Sequence, residues 1–396
     1  MADQFLNRAG LTRLWSKIKA YHETDFGPLL TAAGYGPASI VSFDGGSGGL
    51  PLKKCLVNIE PVQTGSGIPS PGNVRPISGR SGANVTKCGK NVLELSSETT
   101  TKNGVTFTVD KAAGTVTVSG TPTQNTSFQI STLLHTAVGK RYILSGSPSG
   151  GSISSYYISL TPAINGKYVY DAVNGGLFTP VEPMLGAGIV VHGGTTYSNL
   201  VFRPMIRLAS DSDASFEPYE SRTVSVDWTS EAGTVYGGTL DVLKGTLTVD
   251  RAAVDMGALN WTLWNAGMGI FQAVISDMEN PAATTDRAAG IMCSRYAPDT
   301  QYGIGENTGD KRMLRYPTSR IFVRDTSYST AAAFKAAVTG ATLVYPLAEP
   351  FTCRLAPQLI SSLSGVNHIW SDAGNVTVEY GAFLAALQGE IEAMRG

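Results

Sequence analysis

Residues 103–121, NGVTFTVDKAAGTVTVSGT, alternate apolar and polar side chains on both sides of a short turn. Successive side chains of a β-strand point to opposite faces, so this pattern predicts a hairpin with one buried face. The turn is expected at Lys111–Gly114, where a lysine, two alanines and a glycine interrupt the alternation. The apolar positions expected to share the buried face are Val105, Phe107, Val109, Val116 and Val118.

A second stretch, TVYGGTLDVLKGTLTVD at 234–250, carries the same alternation. It predicts a β-meander of three strands, with Gly237-Gly238 as the first turn and Lys244-Gly245 as the second. We expect four apolar side chains of this meander to share one face: Leu240, Val242, Leu247 and Val249.

Short runs of alternating apolar and polar residues, separated by Gly, Asn, Asp and Pro, continue from about residue 50 to residue 380. Many short strands at roughly 8–12 residue spacing are typical of sandwiches and jelly rolls, not of alternating βαβ units. The fold class predicted is therefore mainly β, a multi-domain β-sandwich or jelly-roll body. One short helix is expected inside it at 329–340, STAAAFKAAVTG, ended by Gly340. FDGGSGG at 43–49 is expected to be a flexible junction.

Both ends of the chain predict amphipathic helices. Near the start, apolar residues recur at helical spacing, and Gly27-Pro28 ends the pattern. At the end, the spacing is 3, 4, 3, as in a heptad repeat. Such stripes pack either against other copies and neighbouring proteins or against the chain's own β body, and the sequence leaves both open. The candidate oligomerisation and docking residues are Leu11, Leu14, Trp15, Ile18, Leu384, Leu387, Ile391 and Met394.

Composition narrows the classes of partner. The chain has 396 residues, a formal net charge of -1 and 15% charged residues, where about 25% is usual. A general nucleic-acid binder needs a basic face, and attachment to anionic membranes needs clustered Lys or Arg, so neither partner is expected. No apolar run approaches the ~20 residues of a spanning helix, and the first ten residues do not resemble a secretion signal.

Few residue patterns in the sequence are typical of catalytic or metal-binding sites. GGSGG at 45–49 matches G-x-S-x-G around Ser47, but it lacks the strand before it and the helix after it that a nucleophile elbow needs. The four cysteines lie far apart, and we expect reduced, packed thiols. No two of the histidines have helical metal-ligand spacing, and the carboxylates form no dense cluster. We therefore expect no enzyme activity, no catalytic residue, no metal and no cofactor. The histidines are His22, His135, His192 and His368.

Aromatic residues crowd one part of the chain, around SYYISL at 155–160. An exposed tyrosine can stack on the C–H face of a sugar ring while polar neighbours bind the hydroxyl groups. Alternation requires one of Tyr156 and Tyr157 to face the core and the other to face outward, and it puts Tyr168 and Tyr170 on one face. Core and rim aromatics of a sandwich, a glycan platform and a protein contact all remain open. The candidate glycan-binding residues are Tyr156, Tyr157, Tyr168, Tyr170 and Tyr197.

Four strings resemble segments of bacteriophage and prophage tail and baseplate proteins of Gram-positive hosts. FLNRAGLTRLWSKIKAY at 5–21 is similar to the N-terminal helix of such tail fibres. LPLKKCLVNIEPVQTGSGIPSPGNVRPISG at 50–79 and VDWTSEAGTVYGGTLDVLKGTLTVD at 226–250 resemble recurring segments of their bodies. The ending at 343–380, which starts LVYPLAEPFTCRLAPQ, also matches their pattern. The resemblance covers about half the chain and implies a virion structural protein.

A further resemblance lies between residues 89 and 219. This stretch starts GKNVLEL, ends NLVFRPMIRLASDSDASFEPY and resembles a carbohydrate-binding-module-like jelly roll inserted into such proteins. The residues at 151–176 depart from the family's pattern, so no binding residue is carried over there. The domain layout expected is an N-terminal helical attachment segment at 1–36, a discontinuous host β domain at 37–88 and 222–258, the inserted jelly roll at 89–221, a second β region at 259–380 and a C-terminal helix at 381–396.

The leading hypothesis is a structural protein of a phage tail tip, baseplate or tail fibre that mediates assembly and host-surface glycan attachment. The resemblance implies a homotrimer with other tail proteins as partners, located in the virion after assembly in the bacterial cytoplasm. Two alternatives stay open. One is a tail-associated glycan hydrolase, and the other is a bacterial surface adhesin.

Overall fold

A computed structural model describes residues 30–33, 41–44, 52–131, 134, 136–137, 139–161, 168–180, 186–299, 309–358 and 366–380. The predicted terminal helices and their candidate docking residues lie outside these ranges. So do Ser47, His22 and His135.

The described part of the chain is mainly β, which confirms the predicted fold class of a multi-domain β-sandwich body. Its strands, in chain order, are β1 Leu30–Ala33, β2 Val41–Asp44, β3 Leu52–Ile59, β4 Val62–Gln63, β5 Ile77–Ser78, β6 Gly82–Cys88, β7 Thr100–Lys102, β8 Val105–Asp110, β9 Thr115–Gly120, β10 Thr126–Ser131, β11 Tyr142–Ser145, β12 Tyr156–Thr161, β13 Tyr170–Asp171, β14 Gly176–Phe178, β15 Gly186–Val191, β16 Tyr197–Phe202, β17 Met205–Leu208, β18 Ser221–Asp227, β19 Gly238–Asp241, β20 Thr246–Asp255, β21 Thr262–Asn265, β22 Ile270–Val274, β23 Met292–Cys293, β24 Ala297–Pro298, β25 Arg312–Tyr316, β26 Arg320–Arg324, β27 Thr342–Arg354, β28 Val366–Ser371 and β29 Gly374–Tyr380.

Helices in the described ranges are short, and none is long and apolar enough to cross a membrane. The α-helices are α1 Thr229–Ala232 and α2 Ala331–Ala337, and the 3-10 helices are Met256–Ala258, Ala266–Met268 and Thr284–Ala288.

The chain forms two compact units. The first contains the described residues of 1–55, 84–224 and 359–396, and the second contains those of 56–83 and 225–358. The chain therefore enters and leaves the second unit twice. The domain boundaries expected from the sequence remain predictions. Within the predicted segment 1–36, the described residues are the strand β1, and within the predicted junction 43–49 they are the end of β2.

The first unit contains the hairpin predicted from residues 103–121. β8 and β9 pair antiparallel from Val105↔Gly120 to Asp110↔Thr115, which confirms the expected turn. Gly114 sits in this turn at φ +67°, a conformation that glycine adopts without steric cost. Period-2 alternation turns these side chains to one face, where Val105, Phe107, Val116 and Val118 are fully buried and Val109 is half-buried.

Three sheets of the first unit enclose one core. Their strand orders are β16-β9-β8-β7, β10-β15-β12-β13 and β14-β11-β17. A single cluster of buried side chains draws on all three, including Phe107 of β8, Ile158 of β12 and Leu144 of β11. The rings of Phe107 and Phe128 stack with centroids 4.7 Å apart and join the first two sheets. This is the packing of a β-sandwich, with about 1.5–3 kcal/mol contributed by each buried large apolar side chain.

The other strands of the first unit include β6, β28 and β2, which pair in that order. β28 carries His368 into a fully buried position. Burial lowers the pKa of His368 to about 4, from an ordinary value of 6.5, although a hydrogen bond to the Lys90 backbone opposes this. The histidine is therefore neutral in the folded chain at neutral pH.

The second unit has its own core around the predicted helix. Phe334 of α2 is fully buried and its ring stacks on Phe271 of β22 with centroids 4.2 Å apart. Thr330 caps the helix, since its side chain accepts a hydrogen bond from the Ala333 N–H at 3.2 Å. The helix predicted at 329–340 is thus confirmed, with its regular part at Ala331–Ala337.

The predicted three-stranded meander at 234–250 is wrong in one strand. β19 and β20 pair antiparallel from Gly238↔Val249 to Asp241↔Thr246, as expected for its second hairpin. Val235 instead exchanges backbone hydrogen bonds with Arg80 in an isolated bridge, so the segment before Gly237 does not fold back on β19. The two glycines therefore lead into a strand and do not close a hairpin.

His368 should make the stability of the first unit depend on pH. The unfolded histidine takes up a proton below pH 6.5, whereas the buried one does so only near pH 4. Protonation therefore favours the unfolded chain in this window, and stability present above pH 6.5 is lost as the pH falls towards 4. We expect the loss to be roughly 3 kcal/mol.

The measurement is urea unfolding of the full chain and of His368→Gln between pH 7.5 and 4. Gln does not titrate, so the free energy of unfolding of the variant should fall less steeply in this range. Parallel pH profiles for the two proteins would contradict the assignment.

Candidate functional site

The sheet β10-β15-β12-β13 of the first unit has one face in the core and one face outward. Ile158 and Leu160 of β12, and Ile189 and Val191 of β15, are buried in the sandwich. Alternation turns the residues between them to the other face. We name this outer surface the tyrosine face and define it by Ser127, Gln129, Tyr157, Ser159, Tyr170 and Val190.

Strand register arranges the tyrosine face in two cross-strand rows. In the first row, Val190 lies opposite both Ser127 and Tyr157. In the second row, Gly188 lies opposite both Gln129 and Ser159, and Ser159 lies opposite Tyr170. Directly opposite residues are about 5 Å apart, so neighbours within a row, such as Val190 with Tyr157 or Ser159 with Tyr170, are within reach of one small ligand. Gly188 adds no side chain between Gln129 and Ser159.

Two aromatic rings meet on this face. The ring centroids of Tyr157 and Tyr170 are 5.9 Å apart, with an interplanar angle of 63°. The imidazole of His192, just beyond the end of β15, lies 6.4 Å from the Tyr157 ring. Tyr170 is 44% exposed, so its ring remains open to a ligand.

A buried carboxylate holds Tyr170 in place. Asp171 is 1% exposed, and its Oδ1 accepts hydrogen bonds from the Val173 and Gly175 N–H groups, both at 2.9 Å. Its Oδ2 accepts from the Ser147 N–H at 2.8 Å. Asp171 thus fixes the turn that follows β13 and ties it to the segment after β11. The tyrosine next to it is presented from a fixed backbone.

Two of the five candidate tyrosines serve the sandwich itself. Tyr197 is 5% exposed, and its hydroxyl donates to the Ser155 carbonyl at 3.0 Å. Tyr156 packs edge-to-face on Tyr197 and Phe202, and its hydroxyl donates to the Ser149 carbonyl at 2.6 Å. Burial raises the pKa of Tyr156. Tyr156 therefore faces the core and Tyr157 faces outward.

The structure brings Tyr157 and Tyr170 together and places Tyr168 close by in the chain. Tyr168 is 78% exposed, and it follows residues 162–167, which lie outside the described ranges. Sequence reasoning missed the polar members of the face, Ser127 and Gln129 above all. The signal for them is the alternation in TSFQIS at 126–131, but the register that sets them beside β15 cannot be read from one strand.

The electrostatics of the tyrosine face favour an uncharged ligand. None of the six residues that define it is charged, and the ammonium group of the neighbouring Lys102 donates to the Ser127 carbonyl at 3.1 Å. Its hydrogen-bonding groups are the hydroxyls of serine and tyrosine, which both donate and accept, and the amide of Gln129, whose Nε2 already donates to the Ser131 carbonyl. A polyhydroxylated molecule can use both functions at once.

Other candidate chemistry is dispersed or buried. In the ranges that the structure describes, no group of three or more His, Cys, Asp or Glu side chains is placed to hold a metal ion. Cys55, Cys88 and Cys293 are buried, and burial raises the pKa of the Cys293 thiol to about 11. A thiol of that pKa is unreactive at neutral pH.

Comparison with known proteins finds no matching family model, no matching curated protein and no matching solved structure.

Removal of the Asp171 carboxylate should loosen the turn beside Tyr170. Asp171→Ala leaves three backbone N–H groups without their acceptor, so we expect the free energy of unfolding to fall by roughly 2–4 kcal/mol. Asp171→Asn keeps one carbonyl oxygen and should lose about half as much. Urea unfolding of the full chain measures both. An alanine variant as stable as the wild type would show that the carboxylate does not hold this turn.

Proposed function

We propose that the tyrosine face is a glycan-binding surface, and that it serves host attachment by a structural protein of a phage tail. The observation that carries the binding proposal is the pair of neighbouring rings of Tyr157, which is half-buried, and Tyr170, which is exposed, on a sheet face lined with neutral hydrogen-bonding groups. The tail assignment rests on the resemblance of the strings at 5–21, 50–79, 226–250 and 343–380.

The chemistry of sugars fits such a surface. One face of a hexose ring presents C–H groups, which pack on an aromatic ring, while the hydroxyls around the rim need donors and acceptors. Tyr157 and Tyr170 supply the rings, and Gln129 and Ser159 lie in the same cross-strand row as Tyr170. A few polar groups of this kind orient a ligand, while the aromatic contact supplies most of the affinity.

Binding without turnover is the role that this surface supports. Cleavage of a glycosidic bond usually takes two carboxyl groups on either side of it, and the six defining residues of the tyrosine face contain none. The hydrolase alternative has no particular observation in its favour here.

A shallow surface of this kind binds a cell tightly only when several copies of it bind at once. A homotrimer on a tail would present several equal surfaces to one cell, and weak single-site binding then gains avidity of 10²–10⁴-fold. The proposed partners are accordingly other copies of the chain, other tail proteins and a host-surface glycan.

Loss of either ring should weaken glycan binding. We expect Tyr157→Ala and Tyr170→Ala each to reduce affinity roughly tenfold, which corresponds to about 1.4 kcal/mol, because each removes one stacking partner. The measurement is binding of the full chain to neutral Gram-positive cell-wall polysaccharide and to an oligosaccharide array.

Two controls accompany it. Tyr157→Phe keeps the ring and should retain most of the affinity. Leu177→Ala removes an exposed apolar side chain from another sheet of the same unit and should leave binding unchanged. Glycan binding that survives the loss of both rings would rule out the tyrosine face as its site.

A further inference from the structure

The second unit contains a cavity of about 710 Å³. This volume is in the range of small-molecule sites in proteins, roughly 300–1,000 Å³. The cavity belongs to a different unit from the tyrosine face and shares no residue with it. The lining residues that bear on its chemistry are Tyr236, Arg251, Ser276, Asp277, Glu349 and Phe351.

A large bulge in β27 shapes this cavity. Val249 of β20 lies opposite Phe351, but Arg251 lies opposite Pro346. Four residues of β27, 347–350, therefore face the single residue Asp250. Bulges of this kind interrupt the ladder and re-aim side chains, and they are common beside functional sites.

The bulged segment is held in place by the loop after β22. The Ala348 N–H donates to the Asp277 carbonyl at 2.8 Å, and the Glu279 N–H donates to the Pro346 carbonyl at 2.9 Å. Met278 and Leu347 form a bridge between these two hydrogen bonds. The walls that carry Asp277 and Glu349 are thus fixed to one another by backbone contacts, and the cavity is formed before any ligand arrives.

A fixed acceptor lies on one wall. The carboxylate of Asp277 accepts the hydroxyl of Tyr345, with its two oxygens at 3.1 and 3.2 Å from that hydroxyl. Burial, together with the neighbouring Asp277, raises the pKa of Tyr345 to about 12, so the tyrosine remains a donor at neutral pH. Asp277 is thereby oriented and keeps lone pairs for a further donor.

A cation and an open aromatic ring line the same space. The side chain of Arg251 passes over Gly237, where a Cβ atom would lie 2.5 Å from Arg251 Cδ. Because Gly237 has no side chain, the side chain of Arg251 can occupy this space. Phe351 is 48% exposed, although it is a large apolar side chain on a strand.

This lining distinguishes between classes of ligand. A phosphate or a polyanion would meet Arg251 but also the carboxylates of Asp277 and Glu349. An organic cation would meet the carboxylates but also Arg251. A neutral sugar satisfies all three, because its hydroxyls donate to the carboxylates and accept from the guanidinium, while its C–H face packs on Phe351.

We infer that the cavity bounded by Arg251, Asp277, Glu349 and Phe351 is a second saccharide site, specific for a neutral sugar. It goes beyond the proposed function, because it lies in the other unit and stands whether or not the tyrosine face binds glycan. The chain then has two saccharide sites of different form. One is a sheet face with two tyrosines, and the other is a cavity with charged hydrogen-bonding groups.

The test uses the full chain with Tyr157→Ala and Tyr170→Ala. These two substitutions remove both rings of the tyrosine face. Calorimetric titration uses neutral tetrasaccharides of glucose, galactose and N-acetylglucosamine as probes. We expect at least one of them to bind with one site per chain. Adding Phe351→Ala or Asp277→Asn should weaken that binding tenfold or more. Phe351→Trp, which keeps an aromatic ring at this position, should retain it.

Trp264→Ala is the matched control, because Trp264 is an exposed aromatic residue of the same unit, 46% exposed, that does not line the cavity. It should change the affinity less than twofold. Phe351 is half exposed, so its truncation should leave the thermal midpoint of unfolding nearly unchanged, and this is checked alongside.

The proposal is overturned if no tetrasaccharide of the panel binds the Tyr157→Ala, Tyr170→Ala chain, or if the residual binding is indifferent to Phe351→Ala and Asp277→Asn. Failure of the proposed function looks different. In that case the wild-type chain and the double variant would bind the same glycans equally well.

Discussion

The alternation along β12 is the constraint on which the candidate site depends. Ile158 and Leu160 are fully buried in the sandwich, and each contributes about 1.5–3 kcal/mol relative to an exposed position. A shift of the strand by one residue would expose both of them and bury Tyr157 and Ser159 instead. The cost of that exchange fixes Tyr156 inside and Tyr157 outside. An outward tyrosine on this strand is therefore held by the same packing that stabilises the fold.

Rigid elements support both surfaces that we assign to saccharides. The tyrosine face lies on paired strands, and the buried carboxylate of Asp171 fixes the turn next to Tyr170. The cavity of the second unit depends on a bulge that backbone hydrogen bonds tie to a neighbouring loop. Sites of this kind lose little conformational entropy when a ligand binds, which matters for shallow surfaces with few contacts.

The local parts of the fold could be predicted from the sequence, because short-range patterns determine them. The hairpin of β8 and β9 and the helix Ala331–Ala337 follow from period-2 and period-3.6 placement of apolar residues. The extra strand expected before Gly237 was wrong because Val235 pairs with Arg80, more than 150 residues earlier in the chain.

The site was predictable only in part, for the same reason. The sequence shows that one of Tyr156 and Tyr157 must face outward, but the identity of that residue depends on which face the sandwich buries. The place of Gln129 beside the tyrosines depends on the register of β10 against β15. The residues that line the cavity are spread from 232 to 351, and no local sequence pattern predicts a bulge of four residues in β27.

Hydroxyl-radical footprinting read by mass spectrometry tests the central claim most directly, because it reports the exposure of each tyrosine in the intact chain. The structure predicts rapid oxidation of Tyr170, slow oxidation of Tyr197, and protection of Tyr157 and Tyr170, but not of Tyr156, when a cell-wall glycan is bound. Rapid oxidation of Tyr156 with protection of Tyr157 in the free chain would contradict the account, since it would mean that β12 presents its other face to solvent.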